Sequence, residues 1–147
     1  MLIYEGLARA FAAEGVDAQF GLMGDGNMHW MSAMAQLPGM TTVSVRHEHC
    51  SVLMAIGYWS ATGKVGVCSV THGPGFTQVM TGLTTAARND VPLVMFAGET
   101  SLSAPWALQA MEQAPLARAC GAEYISLHNS RRMHQQVQEA FYLARTQ

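Results

Sequence analysis

Short apolar stretches alternate with helical patterns along this sequence, and this alternation constrains the fold more than any other feature. The stretches read AQFGLM, TTVSVR, VGVCSVT and VPLVMFAG, with AEYISL as a weaker fifth. Strands that are nearly all apolar are typical of a parallel sheet buried on both faces, and parallel strands need a crossover helix between them. The sequence therefore predicts an α/β fold, a parallel sheet with helices on both faces.

Apolar residues at helical spacing place the predicted helices between these stretches. An amino-terminal helix begins at Leu2 and is stopped by Gly15, and Gly63 ends the third helix. The other predicted helices cover residues 28–37, 48–62, 76–88, 106–119 and 131–145. The order of elements is thus an alternation of helix and strand within one unit.

Four glycine-rich or charged loops follow the four stronger strands. They are GDGN at residues 24–27, RHEH at 46–49, THGPG at 71–75 and AGET at 97–100. In an open parallel sheet the carboxyl ends of the strands share one edge, which is where ligands bind. We therefore expect these loops to form one site.

Composition limits the partners that the chain can have. Charged residues make up 12% of the 147 residues and hydrophobic residues 50%, and this share of charge is about half that of an ordinary domain. Because exposed apolar surface usually marks a contact, we expect another domain or subunit to cover much of this one. The net charge of −2 gives no basic footprint for nucleic acid or a membrane surface.

The remaining global features predict a single cytoplasmic domain. No secretory signal pattern and no membrane-spanning apolar run is found, and no linker divides residues 1–147. Cys50, Cys68 and Cys120 are far apart in sequence and have apolar neighbours. We expect three buried thiols and no disulfide.

The stretch RHEHC concentrates charge in a chain that has little of it, so it is a candidate site. His47 and His49 offer a metal-binding interpretation, but residues two apart on a helix point to different sides, and no third ligand has convincing spacing. A nucleophile elbow is absent, and GDGN lacks the closing asparagine pair of a diphosphate motif. Of the other histidines, His29 and His72 flank the loop edge and stay candidates.

A long part of the chain resembles a known family. FGLMGDGN, followed by RHEHCSVLMAIGYWSATGKVGVCSVTHGPGFTQVMTGLTTAARNDVPLVMFAGE, is similar to the amino-terminal pyrimidine-binding domain of thiamine-diphosphate-dependent enzymes of the acetolactate synthase and 2-oxoacid decarboxylase group. The similarity rests on a His-Glu pair opening a helix, Ala-Thr-Gly-Lys ending it, a Gly-Pro-Gly loop and Val-Pro-Leu before the next strand. It implies the pyrimidine-domain fold, lacking its last strand, which is expected past Gln147.

The resemblance also implies roles for individual residues. Glu48 is the implied catalytic residue, whose carboxyl hydrogen-bonds N1′ of the cofactor's aminopyrimidine, favouring the imino tautomer that removes the C2 proton of the thiazolium. Such a carboxyl works best when partly withdrawn from water. The implied cofactor-binding residues are Glu48, Thr71, His72, Gly73, Pro74, Gly75 and Gln78. The weaker, substrate-facing set is Asp25, His29, His72 and Gln113.

Finally, the resemblance implies partners. Family enzymes carry a further domain that binds Mg²⁺ and the diphosphate, so residues 1–147 would be a fragment of a longer three-domain enzyme or a split subunit. Its activity would be decarboxylation or carboligation of 2-oxo acids, within a homo-oligomer, and the isolated chain would be inactive. Two alternatives stay open: a non-catalytic remnant or regulatory subunit, which the altered segment IGYWS at 56–60 allows, and, more distantly, a metal-binding protein.

Overall fold

The sheet is parallel throughout, as the sequence predicts. A computed structural model describes residues 2–101, 103–104 and 106–147. Within these residues four strands form one sheet, β1 (Ala18–Gly21), β2 (Thr41–Ser44), β3 (Gly66–Val70) and β4 (Leu93–Ala97). They lie in the order β2-β1-β3-β4, and each neighbouring pair is parallel. The carboxyl ends of all four strands therefore share one edge.

One helix precedes the first strand, and the others connect the strands or follow the last one. Their bounds are α1 (Ile3–Ala13), α2 (Met28–Ala35), α3 (Glu48–Thr62), α4 (Pro74–Thr77), α5 (Met80–Arg88), α6 (Gln113–Ala119) and α7 (Met133–Thr146), with a 3-10 helix at Ser130–Arg132. In the part of the chain that the structure describes, no helix is both long enough and apolar enough to cross a membrane. The cytoplasmic location stays a prediction.

Both faces of the sheet are covered, which confirms the predicted layers. On one face, Phe11 of α1, Trp30 of α2 and Phe141 of α7 belong to one buried cluster, with Phe11 in edge contact with both other rings. On the other face, Val52 and Ala55 of α3 pack in one cluster with residues of all four strands. The interior strand β3 is buried at every position, as expected for a strand between two helical layers.

The predicted helix over residues 106–119 is wrong in its first half. The helix begins only at Gln113, and Pro115 is its third residue. Proline has no N–H and is tolerated in the first turn of a helix, but it blocks a helix that approaches from further upstream. Residues 103–104 and 106–112 are turns and irregular chain instead.

The predicted helix over residues 76–88 is divided into α4 and α5. Pro74 opens α4, and the N–H of Val79 bonds to the carbonyl of Phe76, three residues back, rather than to the residue four back. This tighter turn at Gln78 and Val79 interrupts the regular α-helical hydrogen bonds and so separates α4 from α5. α5 then runs from Met80 to the predicted end at Arg88.

The prediction of a weaker fifth strand, AEYISL, is wrong. Residues 122–127 form no ladder, and the N–H of Ala122 bonds back to the carbonyl of Ala117 at the end of α6. Five of these residues line a cavity on whose other side β4 lies. A strand forms through main-chain hydrogen bonds to an adjacent strand. Residues 122–127 lie across a gap from β4 and make no such bonds with it.

The expectation of three buried thiols is wrong for Cys50. Cys68 and Cys120 are buried, whereas Cys50 is exposed near the start of α3. Val52 and Ala55, which are buried, follow Cys50 by two and five residues. On a helix these spacings place Cys50 on the opposite side, away from the sheet. Burial raises the pKa of the Cys68 thiol well above its ordinary value, so this thiol is unreactive.

The altered segment at residues 56–60 is well anchored. α3 continues through it to Thr62 and ends at Gly63, where φ is 73° and glycine is favoured. The Tyr58 hydroxyl donates a hydrogen bond to Asp17, and Lys64 forms an ion pair with the same carboxylate. These contacts tie the end of α3 to the chain just before β1.

Candidate functional site

The loops that follow β1, β3 and β4 touch one another at the carboxyl edge of the sheet. The backbone N–H of Gly26 donates to the Thr71 hydroxyl at 3.1 Å. A Cβ built on Gly98 would stand 2.5 Å from the Cα of Gly26. Side chains at Gly26 or Gly98 would therefore force these loops apart.

Glu48 joins this group from the loop after β2. It is the first residue of α3, and its side chain is half-buried. His47 caps the helix, because its Nδ1 accepts the backbone N–H of His49 at 3.2 Å. A Cβ built on Gly75 would lie 3.6 Å from Glu48 Oε1, so the carboxylate lies beside the loop at residues 71–75.

The loop at residues 71–75 keeps its shape through glycine. Gly73 has φ 63°, and a Cβ there would also stand 2.3 Å from the carbonyl oxygen of Gln109. Gly75 is buried against the Thr71 side chain. Pro74 is exposed and supplies the first residue of α4. The backbone of this loop is thus bare of side chains where it approaches Glu48.

Gln113 fastens the loop after β3 to the loop after β4. Its side chain is 1% exposed. Its Oε1 accepts the backbone N–H of Gly73 at 3.3 Å, and its Nε2 donates to the carbonyl of Gly98 at 2.8 Å. The oxygen and the nitrogen of this amide therefore each hold one of the two loops.

The GDGN loop has an internal organiser that the sequence did not reveal. Asn27 is 1% exposed. Its Oδ1 accepts the N–H of Gly24 at 2.8 Å, and its Nδ2 donates to the carbonyl of Leu22 and to the Ser69 hydroxyl. An asparagine just before a predicted helix indicates a helix cap. Its partner Ser69 on β3 is distant in sequence, so the contact could not be predicted.

The remaining candidates are more dispersed. His72 Nδ1 lies 3.5 Å from the Thr71 hydroxyl oxygen and packs beside Gly26. Asp25 and His29 are exposed and line a separate cavity beside β4, which Glu48 and Thr71 do not line within the described residues. Gln78 is exposed at the end of α4. The structure thus groups Glu48 with residues 71–75, and leaves Asp25 and His29 to one side.

The geometry gives the metal-binding interpretation no support. Nδ1 of His47 is engaged as the helix cap. Across residues 2–101, 103–104 and 106–147, no three histidine, cysteine, aspartate or glutamate side chains form a group that could hold a metal ion.

Comparison with known proteins identifies the family. Residues 1–116 match the family described as thiamine pyrophosphate enzyme, N-terminal TPP binding domain. The chain belongs to this thiamine pyrophosphate enzyme family. The loops at residues 24–27, 46–49, 71–75 and 97–100 all lie within the matched part of the TPP-binding domain.

Relatives of this TPP-binding domain are acetolactate synthases. The chain is 33% identical over 144 residues to the acetolactate synthase large subunit of Haemophilus influenzae, with 97% of this chain and 25% of the relative covered. It is 34% identical over 142 residues to the isozyme 3 large subunit of Escherichia coli, with 95% and 25% covered. For the chloroplastic enzyme of Arabidopsis thaliana the values are 31% over 143 residues, 94% and 21%. The chain spans about a quarter of the length of these relatives or less.

Proposed function

We propose that this domain binds the aminopyrimidine ring of thiamine pyrophosphate and supplies Glu48 as the activating carboxylate. The enzyme to which it contributes is acetolactate synthase-like and decarboxylates or joins 2-oxo acids. The observation that carries this proposal is the position of the Glu48 carboxylate, 3.6 Å from a Cβ built on Gly75. A carboxyl group and a bare backbone therefore face the same small volume.

The residues at this place fit the cofactor's ring. A flat heterocycle needs close approach to backbone, which Gly73 and Gly75 permit because neither carries a side chain. A weakly basic ring nitrogen needs a carboxyl partner that is partly withdrawn from water, and Glu48 is half-buried. When bound, thiamine pyrophosphate supplies the nucleophilic carbon at which 2-oxo acids react.

Glu48 would share its proton with the ring nitrogen N1′. Its carboxyl lies at the start of α3, beside the bare backbone of Gly75. A carboxyl positioned against a ring nitrogen can give up and regain a proton, which is what general acid–base work requires.

The other predicted site residues complete the proposal. Thr71, His72, Gly73, Pro74 and Gly75 would form the wall beside the ring, with Gln78 at its exposed end. Gln113 would act on this wall through its hydrogen bonds to Gly73 and Gly98. The other members of the weaker set, Asp25, His29 and His72, would face the 2-oxo acid.

A complete site would need a second domain. Glu48 is the carboxyl beside the loop at residues 71–75, and the described part of the chain holds no cluster of ligands for a metal. We therefore assign Mg²⁺ and the diphosphate to a diphosphate-binding domain or subunit. The low share of charged residues, 12%, supports such a covered surface and a homo-oligomer. In this proposal the isolated chain binds the cofactor weakly and is inactive.

A titration of the isolated chain tests the binding part. Thiamine pyrophosphate and, separately, 4-amino-2-methylpyrimidine are added to labelled protein, and backbone amide shifts of Thr71, Gly73 and Gly75 are followed by NMR. We expect both compounds to move these signals, and Glu48→Gln to weaken both effects. Unmoved signals at residues 71–75, with shifts elsewhere, would contradict the proposal.

A chimera tests the catalytic part. This chain replaces the matching segment of the E. coli isozyme 3 large subunit, of which it covers 25%, and acetolactate formation from pyruvate is measured. Turnover that requires Glu48 supports the catalytic proposal. A folded chimera that binds cofactor without turnover would favour the alternative of a non-catalytic or regulatory protein.

A further inference from the structure

The side chains of Thr71 and His72 occupy space that three glycines leave open at the carboxyl edge of the sheet. A Cβ built on Gly24 would stand 2.7 Å from Cβ of Thr71, and one on Gly75 would stand 2.8 Å from Cγ2 of Thr71. A Cβ on Gly26 would stand 2.5 Å from Nδ1 of His72. Atoms in contact lie about 3.5–4.0 Å apart, so the two side chains can lie here only because residues 24, 26 and 75 carry no side chain.

The Thr71 hydroxyl orients the His72 ring. Its oxygen accepts the backbone N–H of Gly26 at 3.1 Å and lies 3.5 Å from Nδ1 of His72, at the distance of a long hydrogen bond. A hydroxyl also has one proton to donate, and Nδ1 is the acceptor within its reach among the described residues. A neutral imidazole that accepts at Nδ1 carries its proton on Nε2. Thr71 therefore favours the tautomer in which Nε2 is a donor.

Nε2 of His72 is available to a ligand. Within the described chain it makes no hydrogen bond and takes part in no ion pair, and the side chain is only half-buried. The loop that carries His72 also brings Gly75 beside the Glu48 carboxylate. A donor without a partner and the proposed cofactor site therefore share one short loop.

We infer that Nε2 of His72 donates a hydrogen bond to the keto oxygen of the 2-oxo acid, and that Thr71 is the positioning residue that holds the ring for this contact. The inference rests on the proposed function. When a carbonyl carbon is attacked, negative charge develops on its oxygen, and a fixed donor directed at that oxygen lowers the barrier. A neutral imidazole suits this role because it polarises the oxygen while its proton stays on Nε2.

The tautomer of His72 is measured first, in the isolated chain without cofactor or substrate. The ring nitrogens of ¹⁵N-labelled histidines are observed by NMR at a pH where His72 is neutral. We expect the His72 proton on Nε2 alone, a mixture of both tautomers in Thr71→Val, and the parent spectrum again in Thr71→Ser. His134, exposed on α7, should give the same spectrum in all three proteins. A proton on Nδ1 of His72 in the parent chain would overturn the inference.

Turnover of the chimera tests the donor itself. His72→Phe keeps a flat ring but has no N–H, so kcat for acetolactate formation from pyruvate should fall by about 100-fold, the usual effect of removing one donor to a developing oxyanion. KM should change much less, because the contact strengthens only as charge develops. His134→Phe is the matched control and should leave turnover unchanged. If His72→Phe does not fold, His72→Asn, which can keep the contact with Thr71 but has no atom at Nε2, replaces it.

Hydrogen–deuterium exchange at C2 of bound thiamine pyrophosphate separates this inference from the proposed function. The exchange requires Glu48 but no 2-oxo acid, so His72→Phe should leave its rate unchanged. If the exchange depends on Glu48 while His72→Phe turns over like the parent, the inference alone fails. It also fails if His72→Phe slows the exchange as much as Glu48→Gln does, because His72 would then act on the cofactor. Exchange that does not depend on Glu48 would contradict the proposed function, and the inference with it.

Discussion

Glu48 and Gly75 lie side by side although they are 27 positions apart in sequence. A Cβ on Gly75 would stand 3.6 Å from Glu48 Oε1. α3 fixes the first residue, and the turn that opens α4 fixes the second. α3 follows β2 and α4 follows β3, and the carboxyl ends of these parallel strands share one edge of the sheet. The carboxylate and the glycine loop therefore meet at this edge, without any direct hydrogen bond between them among those described.

Replacing Glu48 tests whether its carboxyl acts on the cofactor. In the chimera described above, Glu48→Gln should lower the rate of hydrogen–deuterium exchange at C2 of bound thiamine pyrophosphate by about 100-fold or more, the usual contribution of a positioned general acid or base. Glutamine keeps the size of the side chain but cannot accept and return a proton. Exchange is followed by NMR after acid quench.

Glu5→Gln is the matched control for this change. Glu5 also lies in the first turn of a helix, α1, where its carboxylate accepts the N–H of Leu2 at 2.8 Å. Its loss should cost a similar small amount of helix stability and leave C2 exchange unchanged. Equal effects of the two variants would mean that Glu48 acts on stability alone.

Adding a methyl group at Gly75 should harm both the loop and the site. Its Cβ would lie 2.8 Å from Cγ2 of Thr71, so Thr71 must shift, and overpacking of this kind costs about 1–3 kcal/mol in the free energy of unfolding. Gly75→Ala should also weaken the NMR response to 4-amino-2-methylpyrimidine. Urea unfolding and the titration measure the two effects separately.

Gly57→Ala is the opposite case. Gly57 lies inside α3 with nothing within 4 Å of a built Cβ. Alanine there should stabilise the protein by about 0.5–1 kcal/mol, because glycine is unfavourable in a helix interior. A destabilised Gly57→Ala would show that this face of α3 is covered in solution.

The fold could be predicted from sequence wherever an element depends on its own residues. The four stronger strands, the loop edge and the end of α3 at Gly63 were predicted because local apolar runs and a glycine carry the signal. Residues 122–127 could not, since strand formation depends on a neighbour that the local sequence does not contain. Pro115 indicated where α6 starts. The predicted helix over residues 106–119 followed the apolar pattern alone and therefore began too early.

The site was predictable in part for the same reason. A conspicuous charge at Glu48 and the glycines at residues 71–75 point to the loop edge directly. The contacts of Asn27 with Ser69, and of Gln113 with Gly98, join residues 42 and 15 positions apart through buried amides. Nothing in a local pattern reveals which buried amide faces which loop.

Replacing Gln113 should loosen the loops after β3 and β4 together. Gln113→Met keeps the volume but leaves the N–H of Gly73 and the carbonyl of Gly98 without partners. Each buried unsatisfied group costs about 1–3 kcal/mol, so the free energy of unfolding should fall by a few kcal/mol. Exposed Gln78→Met is the control, expected within about 0.5 kcal/mol of the parent. Faster amide exchange at Gly73 should accompany only the first change.

The Asp17 carboxylate should make stability depend on acid pH. Hydrogen bonds from Lys64, and then from Tyr58, lower the pKa of Asp17 in the folded protein. A lowered pKa adds stability above the unfolded value of about 3.9, and this stability is lost as pH falls through the folded pKa.

Asp17→Asn should therefore lower the melting temperature near neutral pH and have little effect below the folded pKa. Because the Lys64 and Asp17 side chains are 54% and 43% exposed, the difference should be small and should shrink in high salt. Melting curves of both proteins between about pH 2 and pH 7 measure it. A difference of the same size at every pH would show that packing of the Asp17 side chain, and not its charge, holds the end of α3 in place.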